Sequence, residues 1–232
     1  MKRLIVALIA IVLVAGHASA ITVLDDFSVS PTPLTVSITC PGGGYPVTTG
    51  PVEEVVASVL GGHREMFLTV NGGSSPRVAN GSVSPSLAEL TYSNDVTVSS
   101  QLDVIYDGPG SAGLGGIDIV AEQHFNIKVL ALNIAVDWTV TVRDTSNGVS
   151  TGTVQIPSLT LDEWSTMPFA SMTGSADFTQ VDSIVCSFAS TSSSFASDGR
   201  FDSFVTGFVP EPATLSLLGL GVLALARRRR RK

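Results

Sequence analysis

Positive charge is what this chain of 232 residues most lacks. Of its 13 lysines and arginines, two stand at positions 2 and 3 and six fill residues 227–232. The stretch between them keeps only Arg64, Arg77, Lys128, Arg143 and Arg200 against 19 acids, a formal charge of −14. A surface so poor in cations cannot neutralise phosphates, which excludes nucleic acid and anionic lipid as partners of this part. Histidine is scarce as well. His17 lies in the N-terminal segment, and His63 and His124 stand alone without HExxH or Cys/His spacing, so no zinc site is expected. Two cysteines are too few for a disulfide framework. Helical periodicity is nearly absent, with only residues 51–60 and 84–90 readable as short helices.

The two ends are distinct from what lies between. Lys2 and Arg3 precede an apolar run over residues 4–15, and Ala18-Ser19-Ala20 then supplies small residues. That order predicts a signal peptide over residues 1–20, a short helix removed by signal peptidase after Ala20. At the other end, Pro210-Glu211-Pro212 bars helix through that step. Residues 213–226 then carry no charge and span about 21 Å as a helix. This is short for a bilayer core, but flanking arginines snorkel and the bilayer thins, so a marginal span is expected. The positive-inside rule places Arg227, Arg228, Arg229, Arg230, Arg231 and Lys232 in the cytoplasm, anchoring the tail in the inner membrane before processing.

A Pro-Glu-Pro step, a Leu/Gly-rich apolar stretch and a terminal arginine cluster, in that order behind a signal peptide, resemble the PEP-CTERM sorting signal of Gram-negative bacteria. The resemblance covers residues 209–232. It implies recognition by exosortase, a membrane transpeptidase-like enzyme, association with exopolysaccharide and biofilm, and delivery to the cell surface or medium. It implies an address and nothing about the chemistry of residues 21–208.

That body reads as strands. Leu34, Val36, Ile38 and Cys40 alternate with Thr35, Ser37 and Thr39; Trp138, Val140 and Val142 alternate with Thr139, Thr141 and Arg143; Ile184, Cys186 and Phe188 alternate with Ser183, Val185 and Ser187. Turn chemistry punctuates them at Asn71-Gly72-Gly73, Asn80-Gly81, Asp107-Gly108-Pro109 and Asn147-Gly148, the last predicting a hairpin between residues 138–143 and 151–156. The expected fold is all-β, an antiparallel jelly-roll-like β-sandwich. An opening strand with Asp25-Asp26-Phe27, a closing strand with Phe201-Asp202-Ser203-Phe204 and a penultimate strand over residues 178–185 resemble jelly-roll domains related to carbohydrate-binding modules. Some of these hold a structural calcium where first and last strands meet, which the resemblance maps to Asp25, Asp26 and Asp202 as oxygen ligands. No other cofactor is implied.

Several motifs fail their structural requirements. Gly148-Val149-Ser150-Thr151-Gly152 matches a nucleophile elbow but follows a hairpin turn, and no histidine occurs after His124. Gly108-Pro109-Gly110-Ser111-Ala112-Gly113 matches a dinucleotide fingerprint, yet a turn and another strand follow where a helix is required. Glu53-Glu54 and Asp162-Glu163 diverge on an extended strand and make no acid/base couple for glycoside hydrolysis. For a glycan platform, Trp138 alternates with core valines and is expected to be buried. Trp164, near Met167 and Phe169, either packs inside or offers a glycan contact. Tyr45 and Tyr106 flank glycine-rich loops and are candidates for exposure.

The expected protein is exported, sorted by exosortase, structural and non-catalytic, with a carbohydrate-binding module as the alternative and a glycoside hydrolase as the remote one. Cys40 and Cys186, both on apolar strand faces in an exported body, are candidates for one disulfide, with two buried free thiols as the competing reading. Protein recovered from the envelope or medium is expected to begin at Ile21 by N-terminal sequencing. An intact Met1 there would refute the leader.

Overall fold

In a computed structural model, which describes residues 22–27, 33–84, 86–190 and 196–207, the period-two alternation becomes two antiparallel sheets. The strands are β1 (Thr22–Asp25), β2 (Leu34–Thr39), β3 (Val47–Val55), β4 (His63–Gly72), β5 (Val78–Ser84), β6 (Glu89–Asn94) and β7 (Ser99–Tyr106). They continue with β8 (His124–Leu132), β9 (Val136–Asp144), β10 (Val149–Ile156), β11 (Leu161–Pro168), β12 (Thr173–Gly174), β13 (Val181–Ser190) and β14 (Ser197–Thr206). One sheet, A, runs β11-β8-β14-β6-β5-β2, with β1 added on β14; the other, B, runs β12-β10-β9-β13-β7-β4-β3. From β6 onward the chain passes repeatedly between the two sheets, giving the jelly-roll-like sandwich. The predicted signal peptide, sorting residues and terminal helix lie outside the described residues; among those described, no helix is long and apolar enough to cross a membrane.

Local chemistry accounts for the details. β9 and β10 form the hairpin predicted from Asn147-Gly148, in register from Val149 opposite Arg143 to Ile156 opposite Val136. Asn147 sits at φ +66°, and the Asp144 carboxylate accepts backbone N–H bonds from Ser146, Gly148 and Asp177, each at 2.8 Å. Those donors hold its pKa below the ordinary value. Among the described residues, neither segment readable as a helix forms an α-helix. Residues 51–55 belong to β3, where Pro51 falls in a bulge between Thr49 and Val52 on the edge of the sheet, the place where a missing N–H is tolerated. Residues 86–88 form a turn, and Glu89 and Leu90 open β6.

The core lies between the sheets. Phe204 on β14 meets Tyr106 and Trp138 of sheet B at ring-centroid distances of 5.9 and 6.2 Å, and Phe125 of its own sheet at 5.7 Å. Trp138 is fully buried as expected; Tyr106 is too, against expectation, because even positions of β7 face inward with Leu102 and Val104. One buried polar knot closes the far end. The Tyr92 hydroxyl donates to the Ser100 carbonyl at 2.7 Å and accepts from Asn94 Nδ2 at 2.9 Å, and Ser100 Oγ donates to Asn94 Oδ1.

A buried ion cluster ties the sheets together. Arg64 on β4, 0% exposed, donates from Nη1 to Asp25 Oδ2 of β1 and from Nη2 to Glu54 Oε2 of β3, both at 2.6 Å. The Tyr106 hydroxyl donates to the same Asp25 oxygen at 3.1 Å, and the Phe27 N–H to Asp25 Oδ1 at 2.8 Å. Burial lifts the Asp25 carboxyl above its ordinary pKa, and the adjacent guanidinium opposes that rise. This arrangement corrects the calcium set. Asp25 points into the core with both oxygens occupied by donors, so it is not gathered with Asp26 and Asp202 into one site.

The disulfide is corrected as well: Cys40 and Cys186 are both free and buried. Cys186 faces Val104 and Val140 in mid-sheet and accepts from Trp138 Nε1 at 3.2 Å. Cys40 lies beyond β2 beside Gly73 and Val98. Six residues of extended chain, from Val98 to Val104, separate these neighbourhoods by about 20 Å, whereas a bridge needs Cα atoms within about 7 Å. Burial pushes the Cys186 thiol well up, so it is a poor nucleophile.

Two outcomes follow. Arg64→Ala removes the guanidinium from beside two buried carboxylates and is expected to cost about 3–5 kcal/mol of stability in urea unfolding. Replacing Asp25, Glu54 and Arg64 together by Leu, Leu and Met is expected to cost much less; an equal loss would assign the effect to packing instead of charge. Denatured, unreduced protein is expected to take two alkyl groups by mass spectrometry, and native protein none at Cys186.

Candidate functional site

Alternation that sends Leu68, Leu102, Val104, Val140, Val142 and Cys186 inward sends their neighbours to the outer face of sheet B. There β4 presents Phe67 and Thr69, β7 presents Gln101, Asp103 and Ile105, β13 presents Val185 and Ser187, and β9 presents Thr141. With Thr48 of β3 these line an open depression of about 400 Å³. It crosses five adjacent strands, roughly 19 Å at the usual interstrand spacing. Phe67 lies opposite Asp103, Thr69 opposite Gln101, and Ser187 opposite Asp103 on its other side.

The floor is held in place by side-chain pairs. Gln101 Nε2 donates to Asp103 Oδ1 at 2.7 Å, Thr48 and Thr69 share a hydroxyl hydrogen bond at 2.9 Å, and Thr141 and Thr151 another at 3.2 Å. Pairs of this kind, along a strand and across strands, fix rotamers before any ligand arrives. Gly50, at φ +112°, brings β3 against Phe67; a Cβ there would fall 2.6 Å from the Met66 carbonyl oxygen. The result is an apolar floor of Phe67, Ile105 and Val185 ringed by hydroxyls, an amide and one carboxylate.

Trp164 stands elsewhere, on the outside of sheet A, where β11 is an edge strand. It is 38% exposed, with the Lys128 ammonium 5.8 Å from its ring centroid. That ammonium also donates to the Asp162 carbonyl oxygen at 2.8 Å and pairs with the Asp162 carboxylate at 2.7 Å. The indole is therefore at the surface but already in contact with a cation. Nearby, Arg200 holds Glu89 through two hydrogen bonds, and burial followed by the acids around it lifts the Asp202 carboxyl, with Lys128 opposing. Tyr45 is half-buried and donates to the Gly73 carbonyl at 2.8 Å. Ser150 is no exposed nucleophile: it is buried on β10, where Oγ accepts from the Ala176 N–H at 3.0 Å. The glycine-rich segment after Asp107 is a loop, as expected, with a 3-10 turn at Pro109–Ser111.

One cluster was not legible in the sequence. His63, Glu65 and Asp107 bring one nitrogen and two carboxylate oxygens within 4.8 Å of one another. Burial, then the charges of Asp107 and Glu53, lift the Glu65 carboxyl above its ordinary value, with His63 opposing. Asp107 is 44 residues from His63, and only the pairing of β4 with β7 makes them neighbours.

Residues 208–231 match the model of the PEP-CTERM protein-sorting motif, which includes Pro210, Glu211, Pro212 and the terminal arginines. No curated protein matches the chain. Among solved structures it is similar to the family 11 carbohydrate-binding module of cellulosomal cellulase Lic26A-Cel5E of Clostridium thermocellum, at 15% identity over 84% of this chain and 98% of that one, with a TM-score of 0.38. A family 11 module from the same organism in complex with a β-1,3-1,4-mixed-linked tetrasaccharide matches at 15% identity, 84% and 99% coverage and a TM-score of 0.36. An exo-β-agarase matches at 12% identity over 63% of this chain and 23% of its own, with a TM-score of 0.34. At these values the likeness does not extend to a ligand.

Proposed function

We propose that this chain is an exported, exosortase-sorted surface protein whose sandwich binds an extended, neutral polysaccharide along the outer face of sheet B, as a non-catalytic component of an exopolysaccharide matrix. The sorting motif supports the destination. One observation supports the binding: the open depression over five strands, floored by Phe67 and ringed by Thr69, Gln101, Asp103, Thr141 and Ser187. Sugars present apolar CH faces and rows of hydroxyls, and this surface offers an aromatic floor with fixed donors and acceptors around it. Asp103 accepts from sugar hydroxyls, and together with the negative body it disfavours acidic polymers. A polymer is favoured over a small ligand because the depression is open at the surface and does not enclose what it holds. In this reading signal peptidase removes residues 1–20 and the terminal helix holds the inner membrane until sorting.

The test is affinity electrophoresis of the full chain in gels carrying neutral, acidic or cationic polysaccharides, with mixed-linkage β-glucan and agarose among the neutral ones. Retardation is expected in at least one neutral gel. Phe67→Ala and Asp103→Ala should each weaken it roughly tenfold or more, the loss of about 1.4 kcal/mol, while Trp164→Ala leaves it unchanged. Loss on Trp164→Ala alone would move the site to sheet A. Retardation only in acidic gels would overturn the assignment.

A further inference from the structure

The cluster at His63 remains without a role in that reading. His63 is 4% exposed, and its Nδ1 has no hydrogen-bond partner; Oδ1 of Asp107 is likewise buried and unpartnered. An orphaned ring nitrogen and an orphaned carboxylate oxygen in one small volume each carry a desolvation cost that nothing in the fold offsets. The Glu65 Oε1 lies 3.9 Å from His63 Nδ1, too far for a hydrogen bond, and closing by about half an ångström would bring the two atoms to the roughly 3.3 Å expected of ligands about 2.0 Å from one tetrahedral ion. Arg64, the nearest cation in sequence, faces the opposite side of β4 and is committed to Asp25 and Glu54.

The other ring nitrogen, Nε2, lies 3.7 Å from Glu53 Oε2, also beyond hydrogen-bond distance, so the imidazole sits between two carboxylates whose combined negative field favours a cation beside Nδ1. The loop leaving Asp107 folds back over this end of the sandwich. Gly108, at φ +75°, sits where a Cβ would meet the Gly113 carbonyl oxygen, and Gly61 packs against both Gly108 and Leu114.

We propose that His63, Glu65 and Asp107 form a divalent transition-metal site, zinc being the ion of best fit, which pins the loop after β7 to the start of β4. One imidazole and two carboxylates suit zinc with a fourth position for water; calcium and magnesium prefer oxygen alone. The site holds the loop in place and has no catalytic part in polysaccharide binding.

The full chain, stripped with a chelator, is titrated with zinc chloride by calorimetry and followed in thermal unfolding. One equivalent is expected to bind and to raise the unfolding temperature, while calcium and magnesium leave it unchanged. Asp107→Asn, which keeps the side-chain shape, and His63→Gln should each weaken zinc at least about tenfold. Cobalt in place of zinc should give visible absorption bands, lost in both variants. If His63→Gln fails to fold, Asp107→Asn alone decides. Absence of stoichiometric binding overturns the site, and so does zinc affinity or cobalt absorption that Asp107→Asn leaves undiminished. Retardation by polysaccharide is measured on the same samples, so failure of one reading leaves the other standing.

Discussion

The buried guanidinium of Arg64 is the constraint on which the rest of this sandwich depends. It joins β1, carried by sheet A, to β3 and β4 of sheet B through hydrogen bonds of 2.6 Å to Asp25 and Glu54. A charge with no exposure must be paired in the fold, and only one register of β4 pairs it. Because side chains alternate, an inward Arg64 sends His63 and Glu65 to the other face together with Phe67 and Thr69. A slip of one residue would turn the histidine toward the space between the sheets and the guanidinium to the outer face. The position of the His63, Glu65 and Asp107 cluster and the floor of the depression are both consequences of that register.

The two outer faces then differ in kind. On sheet A the charges satisfy one another: Arg200 with Glu89 and Lys128 with Asp162, so its exposed indole sits among committed groups. On sheet B the polar groups of the depression are hydroxyls and one amide around a single carboxylate, Asp103, which Gln101 holds in place of a cation. A hydroxyl-rich face with one carboxylate on an acidic body is what the proposed binding of an uncharged polymer rests on.

The strands were legible because alternation is a local property: residues 34–40, 138–143 and 184–188 each state their inward face without reference to the rest of the chain. The Asn147-Gly148 hairpin was legible because its turn residues supply positive φ. Residues 51–60 were readable as a short helix, whereas Pro51 serves a bulge on an edge strand. Trp164 was ambiguous because its neighbour Met167 is fully buried while the indole itself lies at the surface; position in the sheet, not composition, decided between them.

By itself the sequence determined the class of fold, the hairpin, the burial of Trp138 and the sorting tail, since each rests on periodicity, turn chemistry or a contiguous motif. Only the tertiary structure decided which distant residues share a site. It parted Cys40 from Cys186 by placing them at different heights in the sandwich, and it turned Asp25 inward to Arg64. It also set Asp107 beside His63 through the pairing of β4 with β7. Strand order is fixed by how whole sheets bury their apolar faces against each other, and that is a property of the assembled chain that no local segment encodes.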